Sequence, residues 1–303
     1  MLGRLGVKLA EARAENQDEI VEIAQDAQVI LCGGAPKITS SVIQKLAELR
    51  AVVRYGIGVD TVDLAECTRR GIYVANVPDY CIEEVATHAL ALILTWARKL
   101  PVSQRSVQGG KWGIASLRPL QSPRDQVVGL LGFGRIAQSL CRMAREIGFH
   151  VWACDPYVPR SQIVKKAARS VSLKTLARGS DFISLHMPLT AETRYLINEK
   201  ILKEMKAGSY LINTARGELV HEEALFVALK EGWIAGAGLD VMEKEPWPPD
   251  SPLRELDNLI VTPHCAWYTE RSEKELRRKA CAEVIRVLGG KAPQNLVNRE
   301  VIR

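Results

Sequence analysis

The chain has 303 residues, of which 47% are hydrophobic and 25% charged; that is enough for two domains with their own cores and excludes a largely disordered chain. The formal charge of +6 comes from 41 basic and 35 acidic residues that mostly interleave, as in EKELRRK near the C-terminus. No basic stripe alternates with aromatics, so nucleic acid is not an expected partner.

Seven cysteines lie scattered without a CxxC spacing, which points to neither a disulfide framework nor a zinc site and suits a reducing cytoplasm. The most apolar stretch, Ala89 to Leu94, is too short to span a bilayer, and the N-terminus lacks the apolar run of a signal peptide. The expectation is a cytoplasmic protein with no membrane partner.

In chain order, the runs VILC, AVVRY and IYVAN predict a small α/β unit. The second run leads into Arg54-Tyr55-Gly56-Ile57-Gly58-Val59-Asp60, where glycines let backbone N–H groups face an anion and Arg54 adds positive charge. A plain turn with a surface arginine is the alternative. A long helix is predicted from about Ile82 to Leu100, with Glu83 and Glu84 in its first turn, Arg98 and Lys99 in its last, and Pro101 beyond. Its ALALIL face is apolar almost all round, which predicts burial between the two halves. The polar stretch from Ser103 to Arg124 is too long for a simple connection and reads either as an arm for a partner subunit or as a surface excursion.

From about Val127 the runs VVGLL, HVWAC, DFISL, SYLIN, GAGLD and NLIVT alternate with helix-like segments, the pattern of a doubly wound parallel sheet. Ligands bind beyond the carboxyl ends of such strands. The residues found there are Gly132, Asp155, His186, Thr214 with Arg216, Asp240, and His264. A last helix, from Ser272 to Leu288, presents Leu276, Ala280, Val284 and Val287 at helical spacing and is expected to pack on the body. The expected domains are residues 1–97 with 268–303, and residues 98–267.

Gly132-Phe133-Gly134-Arg135-Ile136-Ala137 follows a strand and opens a helix, the context in which a GxGxxA turn holds a pyrophosphate. One run later, Asp155 suits ribose hydroxyls and repels a ribose phosphate, by roughly 4 kcal/mol at about 4 Å and an effective dielectric of about 20. NAD is therefore expected over NADP. Arg216 in NTARG, Glu245 in EKEP and His264 in TPH bring a guanidinium, a carboxylate and an imidazole, groups that together clamp an anion and move a proton. No tight ligand spacing among the histidines suggests a metal. His88 and His150 are read as structural and His221 as a surface residue.

The ordered set VRYGIGVDTVDL, NVP, GFGRIA, LHMPLT, NTARG, GLDVMEKEP, TPH and the C-terminal VN resembles the D-isomer-specific 2-hydroxy acid dehydrogenases. The resemblance runs from about Ala27 to Asn298. It implies a Rossmann domain, a smaller flavodoxin-like substrate domain, an active site in the cleft between them, and a homodimer formed through the cofactor domain. It also implies NAD-dependent interconversion of a D-2-hydroxy acid and its 2-keto acid. By analogy Arg216 binds the substrate carboxylate and carbonyl oxygen, His264 is the acid/base, and Glu245 orients the imidazole. Ile57 and Gly58 would bind carboxylate through their backbone beside Arg54. Cofactor contacts are implied at Gly132, Phe133, Gly134, Arg135, Ile136, Asp155, His186, Pro188, Thr193, Thr214, Ala215, Arg216, Asp240 and His264. Glu245, where formate-oxidising relatives carry glutamine, argues against formate.

The sequence Cys265-Ala266-Trp267-Tyr268 resembles the carboxyl-terminal-binding-protein branch, whose members are NAD(H)-responsive corepressors. There the matching tryptophan lies over the substrate, so Trp267 is a candidate pocket wall or else a core residue, and Cys265 a small filler. An NAD(H)-sensing binding protein is accordingly the alternative function. The family also has a strand and most of a helix before the segment matching LGRLGVKLAEARAENQDE, so the substrate domain is expected to be shortened at its N-terminus, by an upstream start or by rebuilding.

Overall fold

The computed structural model describes residues 6–302. It separates into two units, Met1–Tyr80 with Thr269–Arg303, and Cys81–Tyr268. The outermost residues of the first unit, 1–5 and 303, lie outside the described residues, and with them the first residues of the segment expected to be shortened.

The larger unit is built on a seven-stranded parallel sheet. Its strands are β4 (Val127–Leu131), β5 (His150–Cys154), β6 (Arg169–Ser170), β7 (Phe182–Leu185), β8 (Tyr210–Asn213), β9 (Gly236–Leu239) and β10 (Leu259–Val261). Their order is β10-β9-β8-β7-β4-β5-β6. Six of them are the six apolar runs of the sequence. The seventh, β6, is a two-residue edge strand beginning in an exposed arginine, so no hydrophobic run announced it. Chain order reverses between β4 and β7, which places the ligand crevice of a doubly wound sheet at the end of β4.

One sheet face is covered by helices α4 (Ile82–Ala97) and α6 (Arg135–Ile147). Buried Ala137, Leu140, Cys141 and Ala144 recur at helical spacing along α6 and pack with Leu92, Ile93 and Trp96 of α4. Trp96 also donates through Nε1 to the Ala237 carbonyl at 3.1 Å and stacks on Tyr210 at 5.2 Å. These contacts group α4 with the larger unit, whereas the boundary expected from the sequence, after residue 97, joins it to the smaller one. Pro101 does not simply end a helix: Lys99 takes a left-handed conformation and a new helix, α5 (Leu100–Gln108), begins around the proline. A fixed φ without an N–H donor fits a first helical turn. Part of the polar stretch is thus helical. The opposite sheet face is covered by α8 (Leu173–Gly179), α9 (Glu199–Glu204) and α10 (Glu222–Lys230), around a core that includes Leu176, Ile183, Leu202, Leu211 and Leu225.

The smaller unit has a three-stranded parallel sheet in the order β1 (Val29–Cys32), β2 (Ala51–Arg54), β3 (Tyr73–Ala75). Central β2 is buried through Ala51, Val52 and Val53, while Leu31 on edge strand β1 is 38% exposed. The last helix, α11 (Glu270–Leu288), packs on β1 and β2. Its N-terminus is closed by reciprocal capping between Thr269 and Ser272. Asn298 seals the edge at β3: its Oδ1 accepts from Val74 N at 2.7 Å and its Nδ2 donates to the Ile72 carbonyl at 2.9 Å.

Candidate active site

Adjacent strands β8, β9 and β10 deliver the three charged side chains in turn. Arg216 follows β8, Glu245 follows β9 and His264 follows β10, so a parallel sheet places all three loops on one edge. His264 Nδ1 lies 2.7 Å from Glu245 Oε2, and Glu245 Oε1 accepts from Met242 N at 3.0 Å. Burial alone would raise the Glu245 carboxyl, but hydrogen bonding to His264, the charge of His264, the Met242 N–H and the charge of Arg216 hold it below the ordinary glutamate range. The acid is therefore ionised at neutral pH and fixes which imidazole nitrogen faces outward.

His264 has φ 52, a left-handed conformation uncommon for a residue with a Cβ. Asp240, only 1% exposed, holds it there. The Asp240 carbonyl accepts from His264 N at 2.8 Å, while its carboxylate accepts from Cys265 N at 3.0 Å, Ala266 N at 2.8 Å and Thr262 Oγ1 at 2.5 Å. His88 Nε2 lies 3.0 Å from that same hydroxyl. The hydroxyl proton points to Asp240, so His88 Nε2 is the donor. Asp240, expected as a cofactor contact, thus has both carboxylate oxygens engaged by the His264 loop.

His88, Asp240 and Cys265 form the one group of potential metal ligands among the described residues, with ligand atoms within 4.8 Å. Sequence spacing gave no hint of it, because the three residues come from α4 and two different strand ends. Each ligand atom already takes part in this hydrogen-bond network, Cys265 Sγ lying 3.6 Å from Asp240 Oδ1.

Around Arg216, Asn213 closes a tight turn by donating to the Arg216 carbonyl at 2.7 Å and accepting from Ala215 N at 3.0 Å. The Arg216 guanidinium donates to the Ala215 carbonyl at 2.7 Å. Gly217 then touches the next loop so closely that a Cβ there would overlap the Met242 carbonyl. The Arg216 and Glu245 loops therefore share a backbone contact. Trp267 stands edge-on to Tyr268 with ring centroids 5.6 Å apart.

The glycine turn fits a dinucleotide. Gly132 has φ 88, and a Cβ on it would come within 2.5 Å of the His186 carbonyl oxygen, so no other residue suits this crossing of β4 and β7. Gly134 is the N-cap of α6, no side chain caps it, and the space beside its Cα is open. That leaves the first N–H groups of a 13-residue helix for a pyrophosphate. Arg135 is exposed there and Ile136 half-buried. Phe133 contributes backbone only, since its side chain is fully buried. Its N–H donates to Asp155 Oδ2 at 2.7 Å, and Asp155 Oδ1 accepts from Tyr157 N at 2.8 Å. The Thr214 hydroxyl is buried without a partner, an acceptor and donor left for a ligand. Thr193 Oγ1 donates to the Pro188 carbonyl at 2.7 Å and so shapes the loop after β7. His186 turns its Nε2 to Ser184 Oγ at 2.8 Å, and burial lowers its pKa to about 4, which keeps it neutral.

Two expectations need correcting. His221 is not a free surface residue: it caps α10, its Nδ1 accepting from Ala224 N at 3.3 Å, and its ring stands edge-on to Tyr195 at 5.0 Å. His88, read only as structural, reaches the Asp240 network beneath His264. Sequence reasoning also missed Glu222 and Glu243, which exchange backbone hydrogen bonds behind the Arg216 and Glu245 loops; their spacing resembles an ordinary charged helix start and surface turn.

In the smaller unit, the loop from Arg54 to Asp60 follows β2. The Arg54 guanidinium donates to the Tyr55 carbonyl and lies over Gly56, which has φ 150 and leaves room for it. Asn76 Nδ2 donates to the Ile57 carbonyl at 2.6 Å, and Gly58 beside it is half-buried.

Residues 90–266 match the family model described as D-isomer specific 2-hydroxyacid dehydrogenase, NAD binding domain. The chain is 38% identical over 288 residues to a glyoxylate reductase of Korarchaeum cryptofilum, covering 94% of this chain and 86% of that protein. It is 36% identical to a D-3-phosphoglycerate dehydrogenase of Methanocaldococcus jannaschii, covering 93% of this chain but 54% of that protein. The structure superposes on a D-lactate dehydrogenase of Aquifex aeolicus complexed with NAD and lactic acid with a TM-score of 0.83, at 32% identity, covering 91% of this chain and 86% of the other. The chain belongs to the D-isomer specific 2-hydroxyacid dehydrogenase family and is an NAD-dependent oxidoreductase that interconverts a D-2-hydroxy acid and its 2-keto acid.

Proposed function

We propose that the preferred reaction is reduction of a small 2-keto acid of the glyoxylate class, with His264 as acid/base, Glu245 as its orienting carboxylate and Arg216 as the anion clamp. The observation that carries this reading is the 2.7 Å pair between His264 Nδ1 and Glu245 Oε2. With Nδ1 held by the carboxylate, Nε2 is the nitrogen left to exchange a proton with substrate oxygen. In the reductive direction the charged imidazole gives that proton to the keto oxygen as negative charge develops there; in oxidation the neutral ring removes it from the hydroxyl. Arg216 presents a planar fork of donors, a geometry suited to a carboxylate with an adjacent carbonyl.

Bound NAD supplies the hydride acceptor, or as NADH the donor. Gly132 to Ile136 and the α6 N-terminus would hold its pyrophosphate, Asp155 its adenosine ribose, and Thr214, Ala215, Pro188, Thr193, His186 and Asp240 are the other candidate contacts. Arg54, Ile57 and Gly58 carry the reading of a carboxylate-binding loop in the smaller unit, and Trp267 that of a pocket wall selecting the substrate's tail. The sensing alternative is not favoured, because the relatives reported above are named reductases and dehydrogenases.

We further infer a cytoplasmic homodimer. No disulfide joins cysteines among the described residues, and no helix among them is long and apolar enough to cross a membrane. On and after α5, Leu100, Val107, Trp112 and Ile114 are 54%, 48%, 92% and 62% exposed, an apolar surface that a second copy would cover. Trp112→Glu should yield monomer by light scattering; an unchanged mass for both proteins would sink the arm as the interface. The catalytic reading is tested by measuring NADH oxidation with a panel of 2-keto acids, where glyoxylate is expected to rank among the best and no turnover on any would overturn it.

A further inference from the structure

Two acids, Glu222 and Glu243, join the start of α10 to the loop after β9 through backbone N–H groups. Glu222 N, at the start of α10, donates to Glu243 Oε1 at 2.7 Å, and Glu243 N donates to Glu222 Oε1 at 2.6 Å. Glu243 Oε2 accepts from Tyr195 Oη at 3.0 Å. Tyr195 has φ 53, and its N–H donates to the Glu218 carbonyl at 2.8 Å. The brace thus ties together the loops after β7, β8 and β9. The peptide it grips, Met242 to Glu243, is the one against which Gly217 is packed, and Met242 N sets the orientation of Glu245 through Oε1.

Two carboxylates facing each other repel, and burial followed by the charge of Glu243 raises the Glu222 carboxyl above its ordinary range, against the lowering effect of the Glu243 N–H. A neutral amide would offer the same acceptor without that repulsion, so what the arrangement provides is geometry: each carboxylate holds the other residue's N–H, Glu222 fixing the Met242–Glu243 peptide and Glu243 the start of α10.

We propose that Glu222 and Glu243 are positioning residues for the acid/base pair, fixing the Met242–Glu243 peptide so that Glu245 presents Oε2 to His264. The proposal rests on the reading of His264 and Glu245 as that pair. The charged groups facing the dyad are Glu245 itself, hydrogen-bonded to His264, and Arg216, whose charge acts on Glu245. Asp240 meets the His264 backbone. Those facing the brace are Glu222, Glu243, Tyr195, Arg194, which donates to the Tyr195 hydroxyl at 3.2 Å, and His221, whose ring stands against that of Tyr195.

The test is the pH profile of 2-keto acid reduction for the full chain with saturating NADH, in wild type, Glu222→Ala, Glu222→Asp, Glu222→Gln and Glu245→Gln. Reduction needs a charged imidazole, so misplacing Glu245 should move the alkaline limb to lower pH by about one unit and lower kcat about tenfold, a fraction of what full loss of acid/base catalysis costs. Glu222→Asp keeps the charge but shortens the reach, and should show the shifted limb and lowered kcat even where Glu222→Ala fails to fold. Glu222→Gln keeps the acceptor oxygen and should restore both limb and rate. NADH affinity, read by fluorescence, should be the same in all. A lower kcat with an unmoved limb in Glu222→Asp, or an equal shift in Glu222→Gln, overturns the proposal while leaving the acid/base reading intact. An unmoved limb in Glu245→Gln overturns the reading on which it rests.

Discussion

The main-chain carbonyl of Asp240 accepts a hydrogen bond from His264 N at 2.8 Å, while its own buried carboxylate holds the next two N–H groups, Cys265 and Ala266. One residue at the end of β9 thus fixes a left-handed histidine at the end of β10. Asp240→Ala strands the buried Ala266 N–H, at about 1–3 kcal/mol, and the half-buried Cys265 N–H beside it, and frees His264 to relax. It should lower the melting temperature by several degrees and turnover by on the order of 10² if the histidine must be placed to act. Calorimetry with steady-state kinetics checks both; a stable variant with wild-type turnover contradicts the assignment.

Gly217→Ala puts a methyl group into the Met242 carbonyl. Neither loop moves without the other, so the cost should be about 1–3 kcal/mol of overpacking together with a fall in kcat larger than any change in NADH affinity. A variant with intact kinetics would mean that the two loops are not coupled through this contact.

Asp155 meets both the glycine turn and its own loop. Asp155→Gly removes the charge that disfavours a ribose phosphate, and should shrink the preference for NAD over NADP by on the order of tenfold or more. It should also weaken NAD itself, because Phe133 N loses its acceptor. Comparing kcat/KM for both cofactors decides this, and an unaltered ratio removes Asp155 from cofactor choice.

His186 gives a pH signature. Its folded pKa of about 4 lies below the ordinary 6.5 because burial disfavours the charged ring. The unfolded chain therefore binds more protons between these values, so the stability contributed by neutral His186 is full above about 6.5 and is lost as pH falls toward 4. His186→Gln should flatten the fall in melting temperature over that window. Parallel curves for the two proteins contradict it.

The sheet was legible because β-rich runs such as VVGLL and SYLIN are buried on both faces, so apolarity alone marks them. Two-residue β6 lacked that signal, and α5 was hidden because its few apolar residues sit among polar ones and none is buried. Local motifs pointed to Arg216, Glu245 and His264. What holds them was not readable: Asp240, Thr262 and His88 meet through tertiary folding, and Glu222 with Glu243 act through backbone donors that any sequence carries.

The most direct test of the account is turnover of His264→Ala in NADH-dependent reduction of glyoxylate, with NADH binding measured on the same protein. The account predicts a loss of about 10²–10⁴ in kcat with NADH affinity retained. Turnover close to wild type would contradict the central role of the His264–Glu245 pair.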